Sequence, residues 1–61
     1  MDIIDALRKW ESLGGTFVNH DDEQGHYTID FLNKDNQVVG WFKVYSGQGF
    51  RWSYPDELFS A

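Results

Sequence analysis

The residues of this chain best equipped for chemistry sit in one short stretch, His20-Asp21-Asp22-Glu23-Gln24-Gly25-His26, where two imidazoles and three carboxylates crowd a single turn. Imidazole nitrogens and carboxylate oxygens are the donors that divalent metals take. The spacing argues against a built metal site. It lacks the alternating oxygen ligands and closing glutamate of a calcium loop, and no helix brings two histidines four residues apart. His26 with Asp30 or Glu23 has the makings of a general acid–base pair, but that work needs a sheltering pocket, which short chains seldom form. A solvated acidic turn is the expectation.

Nucleophilic chemistry fares no better. Ser12, Ser46, Ser53 and Ser60 fall at a helix end, a turn, a strand and the terminus, with no base placed beside any of them by a recognisable signature. Gly47-Gln48-Gly49 has the look of a phosphate-cradling loop, but such a loop opens a helix and here a strand follows, so a hairpin turn is expected. Neither catalysis nor a cofactor is expected.

The aromatic side chains are the other reagents. Three Trp, three Tyr and five Phe stand among 61 residues, and each ring can bury roughly 150–250 Å². Without cysteine there is no disulfide or thiolate metal site to make up for a small core, so these rings must hold the fold. The length fits one folding unit over residues 1–61. The missing cysteines, and the lack of a basic N-terminal region followed by an apolar stretch, lead to an expected cytoplasmic location. No apolar run approaches the roughly 20 residues that span a bilayer.

The elements that must position these groups are legible in the periodicity. From Asp2 to Leu13, the apolar residues Ile3, Ile4, Leu7, Trp10 and Leu13 fall on one helical face. Asp2 is suited to cap its start, and Gly14-Gly15 to end it. Beyond the glycines the period becomes two, with turn-forming clusters between four strands near Thr16–His20, His26–Leu32, Gln37–Tyr45 and Phe50–Tyr54. Connections this short permit only hairpins. The expected fold is α+β: one N-terminal helix packed on a four-stranded antiparallel meander, closed by a helical turn at Pro55-Asp56-Glu57-Leu58-Phe59, whose Leu58 and Phe59 tuck against the sheet edge.

Alternation sorts the two sheet faces. Tyr27, Ile29 and Phe31 face the helix, as do Val38, Gly40, Phe42 and Val44, and Phe50, Trp52 and Tyr54. With Ile3, Leu7, Trp10 and Leu13, the residues Tyr27, Ile29, Phe31, Phe42 and Val44 are the expected core. Lys43 and Arg51 mark the other face as the solvent side, because a buried unpaired cation is costly. That outer face then gathers Thr28, Asp30, Val39, Trp41, Lys43, Tyr45 and Arg51.

The formal net charge of −5 disfavours nucleic acid and anionic lipid and favours a basic partner surface. Trp, Tyr and Arg dominate interface hot spots. The leading expectation is therefore a small acidic protein-binding module, of the size and charge of many phage-encoded inhibitors, that blocks a basic, nucleic-acid-binding surface of a larger protein. Trp41 and Tyr45 would supply the buried anchors beside Lys43 and Arg51, while carboxylates such as Asp21, Asp22, Glu23, Asp30, Asp35, Asp56 and Glu57 meet the basic surface at the edge of the contact. A single-strand nucleic-acid binder stacking bases on the same face is the alternative. A homodimer through that face, or its cover by the C-terminal turn, would instead make the outer aromatics structural.

Overall fold

The computed structural model describes residues 1–60. Helix α1 spans Ile3–Ser12, followed by β1 (Thr16–Asp21), β2 (Tyr27–Leu32), β3 (Val38–Tyr45), β4 (Gly49–Ser53) and a 3-10 turn at Asp56–Phe59. The strands form one antiparallel sheet in the order β1-β2-β3-β4. The helix lies against one face of it, so the expected α+β architecture is the observed one.

Local chemistry sets the boundaries. The Asp2 carboxylate accepts the amide of Asp5 at 2.9 Å, capping α1, and Gly14 leaves the helix at φ +91°. Two of the hairpins share a device: a side-chain oxygen at the first turn position takes two later amides. Asp22 accepts from Gln24 and His26 at 2.8 and 2.9 Å, and Asn33 accepts from Asp35 and Gln37 at 2.9 and 3.0 Å. Each turn then needs a left-handed residue, supplied by Gly25 and by Asn36.

The core comprises Ala6, Trp10, Ile29, Phe31, Phe42, Tyr54 and Leu58, with Ile3, Leu7 and Phe17 packed against it. Trp10 ties the layers together. Its indole N–H is shared between the carbonyls of Thr16 at 2.9 Å and Leu32 at 3.0 Å, and its ring occupies the space a side chain at Gly15 would need. The chain leaving β4 passes over Gly40, where Pro55 and the Ser53 carbonyl fill the room of a missing Cβ. Leu58 is then wholly buried, and its carbonyl accepts the Lys9 ammonium at 2.6 Å.

Several side chains depart from expectation. Leu13, Tyr27 and Val44, read as core, are exposed, and so is Ile4. Tyr27 and Val44 do lie opposite each other on the helix side, but the helix is anchored at the other end of the sheet, where the Trp10 indole meets the Thr16 and Leu32 carbonyls. The helix stops short of them. The register shifts between Phe31 and Leu32, so that Val38 opposes Leu32 instead of continuing the alternation of Gly40 and Phe42. Of the closing pair, Leu58 tucks in as expected, whereas Phe59 stays exposed. Thr28, assigned to solvent, is buried on the outer face between His20 and Lys43, its partners in the neighbouring strands.

Candidate functional site

The strand register brings the sequence-selected outer-face residues together. Asp30 opposes Trp41 and Lys43 opposes Arg51, with Trp41, Lys43 and Tyr45 half-buried and Arg51 exposed. The C-terminal turn does not cover them, since it packs on the helix side. What the sequence did not reveal is how completely this face satisfies its own charges. His20 Nε2 meets Asp30 Oδ2 at 2.7 Å. Asp22 folds back so that Oδ2 takes the Lys43 ammonium at 2.9 Å and lies 3.2 Å from His26 Nδ1. The His26 ring in turn lies against the Tyr45 ring with centroids 4.6 Å apart.

These contacts show in the titration of the groups. Hydrogen bonding to Lys43, then to the His26 backbone, holds the Asp22 carboxyl well below the ordinary carboxylate range. The same bond to Asp22 raises Lys43. His20 is raised by its hydrogen bonds to the Asp21 carbonyl and the Asp30 carboxylate. Asp21 and Glu23 are exposed, but Asp21 opposes Tyr27 and so stands on the helix side rather than at the rim of the outer face. Lys43, the cation at the centre of the expected interface, is already answered by Asp22.

The opposite face is different. Reading across the sheet from β1 to β4, one row on the helix side is Asp21, Tyr27, Val44 and Phe50, and the next is Asn19, Ile29, Phe42 and Trp52. The first row and the β4 end of the second lie open. Phe50 is 52% exposed and Trp52 50%, although both belong to a continuous chain of rings rooted in the core. Trp10 meets Phe31 at 6.2 Å between centroids, Phe31 meets Tyr54 at 5.7 Å, Tyr54 stacks on Trp52 at 5.9 Å, and Trp52 meets Phe50 at 5.6 Å. Phe59 extends the chain on the other side of Tyr54, at 6.4 Å.

This is a rigid apolar platform, because the buried rings fix the orientation of the exposed ones. Its surroundings are acidic. Burial and then the negative charge of Asp2 push the Tyr54 phenol up. Asp56 follows directly on Pro55, three residues past the end of β4, and Asp21 closes the first row at the other end. Of the cations, Lys43 is paired on the outer face, Lys9 is engaged by the Leu58 carbonyl and Lys34 lies across Gly14. The sequence signal for the platform was present in the alternation of Phe50, Trp52 and Tyr54. It could not be separated from a core signal without knowing where the helix ends.

An open hollow of about 800 Å³ lies at the end of α1, between Trp10, Leu13, Lys34 and Glu57. One of its two lysines, Lys9, is engaged by the Leu58 carbonyl. Among the described residues, no helix is long and apolar enough to cross a membrane. Comparison of the chain with protein-family models, with curated proteins and with solved structures found no match.

Proposed function

We propose that this protein is a non-catalytic binding module that acts by occupying a basic surface of a larger protein, such as one that otherwise receives nucleic acid, and that its contact face is the open half of the helix side. The observation that carries the reading is the pair of half-exposed rings, Phe50 and Trp52, which pack on each other and on the buried Phe42 and Tyr54. Large aromatic rings that are ordered before binding lose little freedom on docking and are the commonest anchors of protein interfaces. Carboxylates around them select a partner whose apolar contact is framed by lysine or arginine. Blocking such a surface needs no chemistry from this chain.

The outer face is the weaker candidate, because binding through Lys43 or Asp30 would first break the pairs with Asp22 and His20. The same pairing leaves Arg51 as the one cation of that face outside an ion pair among the described residues, too few for the phosphate neutralisation that base stacking at Trp41 and Tyr45 needs. The test is affinity capture from host lysate with three tagged proteins of confirmed fold: wild type, Phe50→Ser with Trp52→Ser, and Trp41→Ala with Tyr45→Ala. Retention of one basic protein by the first and third, and its loss from the second, is the expected result. Loss from the third alone would move the contact to the outer face and overturn the assignment.

A further inference from the structure

The reading above names a face; the edge of the sheet beside it says how that face is used. Strand β4 is outermost, so one side of its backbone has no neighbouring strand. In an antiparallel pair only alternate residues turn their N–H and C=O groups toward the partner strand. The Phe50 carbonyl accepts the Arg51 guanidinium at 3.3 Å, a side-chain bond of the kind open to a carbonyl that points off the sheet edge. Trp52, two residues on, points the same way. The two residues with exposed rings are therefore the two with free backbone groups.

Natural sheets guard such edges with charged side chains or a covering element. At the other edge, β1 carries Asn19, His20 and Asp21. Along β4 the one charged residue, Arg51, sits among Gly49, Phe50, Trp52 and Ser53. Its guanidinium rests on the Phe50 carbonyl and can leave it by rotating a flexible side chain. Antiparallel pairing of two copies with Phe50 opposite Trp52 would set the two Arg51 side chains directly opposite each other, and like charges so placed oppose it.

We propose, building on the function proposed above, that the partner contributes an extended segment that adds to β4 as an antiparallel fifth strand. Its apolar side chains lie on Phe50 and Trp52, and cationic residues at its N-terminal end meet Asp56. Antiparallel addition places the start of the segment beside the end of β4, which Asp56 follows by three residues. The residues opposite Phe50 and Trp52 exchange both backbone hydrogen bonds with them and point their side chains to the platform.

The test uses three capped synthetic peptides in which two lysines precede alternating threonine and isoleucine: one unmodified, one N-methylated at the isoleucines and one N-methylated at the threonines. Isoleucine amides face β4 in this register and threonine amides face away. The unmodified and threonine-methylated peptides should bind at low salt, slow hydrogen exchange at the Phe50 and Trp52 amides, and weaken with Asp56→Asn. Methylation at isoleucine should weaken binding at least about tenfold, the worth of one or two lost hydrogen bonds. Equal binding of all three peptides would overturn strand addition while leaving the docking face in place. Failure of all three to bind, with capture of a partner still dependent on Phe50 and Trp52, would also overturn it alone. A dimer in solution that Trp52→Ser disperses would assign the edge to a second copy, against the proposal.

Discussion

Truncating the two ends of the aromatic chain should have very different consequences. Phe31 has no exposed surface and touches Trp10 on one side and Tyr54 on the other. Phe31→Ala removes its transfer energy and leaves a cavity, which in packed cores costs about 3–5 kcal/mol. At roughly 0.05–0.15 kcal/mol per residue, a chain of this length has about 3–9 kcal/mol in total. The variant is therefore expected to lose a third or more of that stability. Trp52 is half-exposed, so Trp52→Ala forfeits about half of a 150–250 Å² side chain, at most about 2–3 kcal/mol, and leaves no enclosed void. Urea unfolding followed by circular dichroism separates the two. With a slope near 1 kcal/mol per molar, Trp52→Ala should keep a cooperative transition with its midpoint lowered by about 2–3 M or less. Phe31→Ala should lower it by about 3–5 M, or abolish the folded baseline. Equal midpoints for the two variants would refute the burial gradient and, with it, the claim that the ring chain runs from core to surface.

Other substitutions probe the supports of the platform. Gly15→Ala drives a Cβ into the Trp10 indole, so overpacking should cost about 1–3 kcal/mol; an unchanged urea midpoint would mean Trp10 is not seated there. His20 is raised above 6.5 by the Asp21 carbonyl and by Asp30. The stability it adds is complete below that value and is lost as pH rises through its folded pKa, so His20→Gln should lower the melting temperature near pH 5 and have little effect near about pH 9. A constant difference across that range would sink the ion pair. Asp22 is lowered in the folded state, chiefly by Lys43. Its contribution is present above the ordinary carboxylate range and fades as acid protonates it, so Asp22→Asn should flatten the acid limb of the stability curve. An acid limb identical to wild type would show that Lys43 does not depend on it.

Much of the fold was legible because local signals agreed. Asp2 was a cap by type and position, Gly14 was available for a left-handed exit, and the period of two between Tyr27 and Phe31 could only be a strand. The C-terminal turn was legible from Pro55 and the acids after it. Burial was less so. Alternation says which side of the sheet a residue occupies but not whether anything lies over it. Tyr27, Val44, Phe50 and Trp52 read as inner residues, yet they project beyond the reach of a short helix. On the outer face, Thr28 read as solvent-exposed because it is polar, while its cross-strand neighbours His20 and Lys43 close over it. The pairing of Asp22 with Lys43 was out of reach too, since it depends on how the turn folds back across two strands. The sequence therefore pointed to an aromatic interface on the outer face, where Lys43 and Asp30 are paired within the chain.

On the proposed function, Phe50 and Trp52 dock the partner while Lys43 and Asp30 stay in their pairs with Asp22 and His20 on the outer face. The most direct measurement is the bleaching of amide and indole NMR signals by a soluble paramagnetic agent, made on the free protein and again with the captured partner bound. The account predicts that the Trp52 indole and the Phe50 amide bleach strongly when free and are protected in the complex. The Trp10 indole, bound to Thr16 and Leu32, should resist in both. Protection of Trp41 and Tyr45 on binding, with Trp52 still bleached, would contradict it.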